Sequence, residues 1–144
     1  MITWCNLSYL KITSDTEPHT VVRQPLPSDT KEEKKSKREK PFLNKTRILW
    51  TINYLGSQYC FVIDKGYTWD GSSCPCMHLL PKLLTASMVH DTLCEDHSKC
   101  GFDRQLSSMV FREIGIKSGV NKTFMHIAYL AVDNYQKIFG KWKR

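Results

Sequence analysis

Apolar and polar positions alternate most regularly along Thr46-Arg47-Ile48-Leu49-Trp50-Thr51-Ile52-Asn53-Tyr54, where Ile48, Trp50, Ile52 and Tyr54 fall on one face of a pleated strand. Leu55-Gly56-Ser57-Gln58 supplies a turn and Tyr59-Cys60-Phe61-Val62-Ile63 a returning strand, so the pattern predicts a β-hairpin. Beyond residue 80 the period changes. Pro81 suits a first helical position, and Leu83, Leu84, Ser87, Met88 and Asp91 recur at helical spacing up to Gly101. Phe102, Leu106, Met109, Val110 and Ile114 mark a second helix, stopped by Gly115 or Gly119. Asn121 is placed to cap a third, whose Phe124, Ile127, Ala128, Ala131, Tyr135, Ile138 and Phe139 form an apolar stripe that predicts a core-facing side. Strands followed by helices in blocks predict an α+β domain, a hairpin or small antiparallel sheet followed by three helices.

The first forty residues are patterned differently. Ile2-Thr3-Trp4 and Thr20-Val21-Val22 are short β-favouring runs, but Pro25, Pro27, Ser28 and Asp29 lead into the charged run Lys31-Glu32-Glu33-Lys34-Lys35-Ser36-Lys37-Arg38-Glu39-Lys40. This composition suits a solvated linker. The expected organisation is therefore a peripheral extension over 1–40 and a single α+β domain over 41–144.

Composition narrows the class. A hydrophobic content of 41% with 24% charged residues is ordinary for a globular chain and argues against disorder. No run approaches the roughly 20 apolar residues a membrane span needs, and no basic segment with an apolar core opens the chain, so neither a signal peptide nor a transmembrane segment is expected. Six cysteines without a leader suit thiols or metal ligands in a reducing compartment. The net charge of +7 is most one-sided at the C-terminal tip, with Lys137, Lys141, Lys143 and Arg144, which suits contact with anionic lipid or nucleic acid.

The chemistry-bearing residues cluster in Met88-Val89-His90-Asp91-Thr92-Leu93-Cys94 and in the loop Gly66-Tyr67-Thr68-Trp69-Asp70-Gly71-Ser72-Ser73 before it. On a helix His90, Cys94 and His97 share a stripe, and Asp91 is turned about 100° away. A histidine oriented by an acid can serve as a general base, and an adjacent aspartate can hold a cation that stabilises an oxyanion. The same residues can also brace a loop against a helix. Separately, Cys74-x-Cys76-x-His78 and Cys94-x2-His97-x2-Cys100 would supply sulfur and imidazole ligands for zinc if a chain reversal brought them together.

Gly66-Tyr67-Thr68-Trp69-Asp70-Gly71-Ser72-Ser73-Cys74-Pro75 resembles the G-F-x-T-D-x-A-S-x-P signature of the phage and bacterial family catalogued as domain of unknown function 1353, and His90-Asp91-Thr92-Leu93-Cys94 resembles its helical H-D-x-L-Y. The resemblance covers roughly 42–140. Trp69 separates Thr68 from Asp70, Ser72 replaces an alanine and Cys94 a tyrosine, whereas Asp70, His90 and Asp91 are kept. It implies an α+β fold and a phage or prophage origin, and it implies no activity. A second, motif-level similarity is to phospholipase A2, whose H-D-x-C-Y helix follows a calcium loop. That similarity implies His90 as base, Asp91 with the 66–73 loop around Ca²⁺, and Asp103 or Asp133 as the orienting acid; Asp70 is a further candidate. Two functional classes follow. One is a non-enzymatic virion, accessory or host-interaction protein, in the host cytoplasm or assembled in a virion. The other is a His/Asp hydrolase of a lipid or other ester, with Ca²⁺ as the implied cation. A small zinc-stabilised domain is a third.

Overall fold

The structure, a computed structural model, describes residues 1–70, 81–100 and 103–139, and for 96–100 the backbone only. Its architecture is α+β. Strands β1 (Ile2–Asn6), β2 (Leu10–Ser14), β5 (Ile48–Tyr54) and β6 (Ser57–Ile63) form an antiparallel sheet in the order β1-β2-β5-β6. Strands β3 (Thr20–Val22), β4 (Phe42–Asn44) and β7 (Thr68–Trp69) form a second, three-stranded antiparallel sheet in the order β3-β4-β7. A short exposed helix α1 (Lys31–Glu39) precedes β4, and α2 (Leu84–Cys100), α3 (Arg104–Lys117) and α4 (Lys122–Phe139) follow the sheets.

The β5–β6 hairpin forms where the alternation predicts it. Leu55 and Gly56 both take positive φ, 49° and 82°, the geometry of a type I′ turn, and Tyr54 pairs with Ser57 across it. Ile48, Trp50 and Ile52 point into the core and are fully buried. Trp50 lies between Trp4 and Phe61, with ring centroids 5.5 and 6.5 Å away.

Residues 1–14 depart from the expected peripheral extension. β2 pairs with β5 along its whole length, Leu10 opposite Tyr54 and Ser14 opposite Trp50, and Leu10 and Ile12 are fully buried. The charged run 31–39 is helical and not an irregular linker, because Thr30 and Glu33 satisfy a capping rule: the Thr30 hydroxyl accepts from the Glu33 amide at 3.1 Å. It buries no residue, so it is solvated as its composition predicts.

In the helical layer, α3 packs against both α2 and α4, while α2 also meets β6 and α3 meets β1. Pro81–Leu83 makes a 3₁₀ turn that leads into α2. α3 ends at Gly119 and not at Gly115. Gly119 has φ of 101°, its amide donates to the Ile116 carbonyl and the Val120 amide to the Gly115 carbonyl, the paired bonds of a Schellman stop. Gly115 lies inside the helix, where a side chain would run into that of Met125 on α4.

Candidate functional site

The residues singled out from the sequence gather around α2, on two different sides of it. Ser87, Asp91 and Glu95 are spaced four apart and so share one face. That face meets the Tyr67–Asp70 segment. The Trp69 indole, 1% exposed, donates to the Ser87 hydroxyl at 3.0 Å, and Ser87 in turn donates to the Leu84 carbonyl at 3.0 Å. The Tyr67 phenol donates to the Glu95 carboxylate at 3.2 Å, and its ring stacks on Trp69 at 6.0 Å. Between these two contacts the carboxyl groups of Asp70 and Asp91 are hydrogen-bonded to each other. Three polar contacts thus fasten β7 and its neighbours to α2.

Local sequence explains why the segment lies there. Asn44 at the end of β4 is fully buried and its amide donates to the Thr46 and Asp64 carbonyls at 2.7 and 2.9 Å. The Gly66 amide donates to the Asn44 carbonyl at 2.8 Å, and Gly66 has a φ of 98°, a conformation glycine adopts without strain. The chain leaving β6 is therefore turned back along β4, where Phe42 pairs with Trp69 and the two rings lie 5.7 Å apart.

Burial sets the electrostatics of this face. Asp91 is raised well above the ordinary carboxyl value, first by desolvation and then by the Asp70 carboxyl beside it, with Glu95 adding to the effect. A proton held on Asp91 lets it donate to Asp70. The Tyr67 phenol is also pushed upward by burial, opposed by a hydrogen bond with Thr92, so it remains a donor.

His90 points the other way. It is 2% exposed, and its ring lies 5.4 Å from that of Phe111 on α3. The buried Cys94 sulfur is 3.7 Å from Nε2 and 3.9 Å from Nδ1. Burial pushes the imidazole down to about 4, and the negative charge of Asp133 opposes that shift. Asp133 Oδ1 itself accepts from Arg104 Nε at 3.0 Å and from the Ser108 hydroxyl at 3.1 Å.

The predicted site residues therefore separate. Asp70 and Asp91 come together, whereas His90 faces the α3 side and shares no hydrogen bond with either. Asp103 is the N-cap of α3, its carboxylate accepting from the Leu106 amide at 2.7 Å. Of the candidate orienting acids Asp70, Asp103 and Asp133, Asp133 is the one whose charge acts on His90. For the zinc ligands, Cys74, Cys76 and His78 lie outside the described residues, as do the side chains of His97 and Cys100; Cys94 lies against His90. Among the described residues, no group of three or more His, Cys, Asp or Glu side chains is arranged to hold a metal ion. Sequence reasoning missed Ser87, Glu95 and Tyr67 as partners. The available signal was the four-residue spacing of Ser87, Asp91 and Glu95, three polar side chains on one stripe of a helix that has to be buried.

Fold and site together define a small α+β domain whose helix α2 carries a polar seam on one side and an enclosed histidine on the other. Residues 47–132 match the family model described as protein of unknown function (DUF1353), and the chain belongs to that family. No curated protein and no solved structure matches the chain. Among the described residues, no helix is long and apolar enough to cross a membrane.

Proposed function

We propose that this is a phage- or prophage-encoded accessory protein without catalytic turnover, acting in a virion or on a host factor, in which His90-Asp91 is a structural brace. The observation that carries the reading is the enclosure of His90. A general base has to reach the proton it abstracts, directly or through one water. His90 is 2% exposed, packed against Phe111 and Cys94, and its neighbour Asp91 is committed to Asp70. The phage or prophage origin, with a place in the host cytoplasm or the virion, rests on the family resemblance.

The test is hydrolysis of phospholipid and of a chromogenic ester by wild type and His90→Ala, with and without Ca²⁺. Equal background rates are expected from both proteins. A wild-type rate clearly above that of His90→Ala would replace the brace with an enzyme.

The second reading, a calcium-dependent His/Asp hydrolase of a lipid or other ester, has the paired carboxyls of Asp70 and Asp91 in its favour. Two carboxyls sharing a proton are chemically suited to a divalent cation in the proton's place. On that reading Ca²⁺ raises the melting temperature of wild type but not of Asp70→Asn. For a zinc-stabilised domain, metal analysis of protein purified without chelator decides, and one equivalent of zinc is the supporting result.

A further inference from the structure

Sheet edges carry unpaired amide and carbonyl groups, and folded chains blunt them with charge, proline, bulges or brevity. Three of the edge strands here are blunted: β1 has a bulge between Thr3 and Cys5, and β3 and β7 have three and two residues. β6 is not. It runs seven residues, Ser57-Gln58-Tyr59-Cys60-Phe61-Val62-Ile63, in unbroken register with β5, and contains no charge, proline or glycine. It ends the four-stranded sheet, and among the described residues no further strand pairs with its outer side.

The hairpin fixes which groups face outward. Across a two-residue type I′ turn the flanking pair, Tyr54 and Ser57, exchanges backbone hydrogen bonds, and the pattern alternates from there. Ser57, Tyr59, Phe61 and Ile63 therefore bond to β5, while the amides and carbonyls of Gln58, Cys60 and Val62 point away from it. The 3.8 Å approach of Thr51 Oγ1 to Cys60 Sγ agrees, since side chains lie closer in a pair without backbone bonds. Cys60, at the middle of the strand, is exposed.

These three positions select the occupant. They are evenly spaced about Cys60, so a second β6 running antiparallel across a two-fold axis meets all of them, Gln58 facing Val62 and Cys60 facing Cys60. About six backbone hydrogen bonds form, using every outward group of the three residues. A register shifted by two residues either way loses one of the pairs. On the core side Tyr59 of each copy lies beside Phe61 of the other, an aromatic cross-strand pair. The nearest charges in the chain, Asp64 and Lys65, fall opposite the neutral Leu55-Gly56 turn of the other copy, so no like charges meet.

We infer that two copies of the chain associate through β6, antiparallel and centred on Cys60, joining their four-stranded sheets into one. The contact does not depend on whether His90 is catalytic.

The test is sedimentation equilibrium of the full chain under reducing conditions, from about 10 μM to about 1 mM. Wild type and Cys60→Ser should both show a monomer–dimer equilibrium. Cys60→Lys brings two ammonium groups face to face across the axis and should raise the dissociation constant at least about tenfold. Position 60 is exposed, so an unchanged melting temperature at low concentration shows that the variant is folded. A short bismaleimide should couple two wild-type chains, and Cys60→Ser should lose that cross-link. A wild-type monomer throughout the range, equal dimerisation by Cys60→Lys, or a cross-link that survives Cys60→Ser overturns the inference. So does a dimer that Phe139→Ser abolishes and Cys60→Lys does not, because the copies then meet through the exposed side of α4.

Discussion

His90 and Asp91 are neighbours in the chain, yet folding shifts their proton affinities in opposite directions. The His90 imidazole falls from an ordinary value of 6.5 to about 4, so between those values the unfolded chain binds more protons than the folded one. Its contribution to stability is complete above pH 6.5 and is lost as pH falls towards 4. A gap of that size corresponds to about 3 kcal/mol. The stability difference between wild type and His90→Gln, from urea unfolding, should therefore shrink by about 3 kcal/mol between pH 7 and pH 4. Asp91 behaves oppositely. Its folded value lies well above 3.8, so stability is greatest below that pH and declines as pH rises through the raised value. Asp91→Asn keeps a donor to Asp70 without the charge. It should stabilise the protein at pH 7 and give no gain near pH 3. The same unfolding series checks it, and destabilisation by Asp91→Asn in the presence of Ca²⁺ would instead support a cation between the two aspartates.

At the scale of elements, the sequence exposed the helices and their ends better than it exposed their faces. α3 begins at Asp103 because a carboxylate there accepts the Leu106 amide, and the same residue had also been a candidate orienting acid. Capping is a local property, visible within three residues, whereas distance from His90 depends on the tertiary fold. Asp103→Ala should cost about 1 kcal/mol in thermal unfolding and leave any ester hydrolysis unchanged. α4 shows the limit of periodicity. Its stripe predicts that Ile127, Ile138 and Phe139 are core, but periodicity reports which residues share a face, not whether a neighbour covers it. On α2 the seam of Ser87, Asp91 and Glu95 was legible as a spacing, but its partners on Tyr67–Asp70 were not, since they depend on Asn44 and Gly66 turning the chain. Ser87→Ala leaves the buried Trp69 indole without its acceptor and should cost about 1–3 kcal/mol, measured by denaturant unfolding.

For the molecule as a whole, the least legible feature was the contribution of its first residues to the core. β1 and β2 are five residues each, and β2 carries polar Lys11, Thr13 and Ser14 among its apolar positions, so local propensity alone is faint. Its identity as a strand comes from β5, far along the sequence, whose opposite edge is already taken by β6. Removing residues 1–14 would strip Leu10 and Ile12 from the core, expose the backbone edge of β5 and take Trp4 from the face of Trp50. Burial of Leu10 and Ile12 alone contributes about 3–6 kcal/mol. That is comparable to the roughly 5–15 kcal/mol by which a domain is stable at all. Deletion of 1–14 should therefore abolish the cooperative thermal transition and leave a chain that aggregates through the uncovered edge. The helix α1, which buries nothing, provides the contrast: replacing Lys31–Glu39 by a flexible linker of equal length should leave the transition cooperative. Circular dichroism melting of the two variants side by side separates the cases, because an extension that merely decorated the domain would tolerate either change.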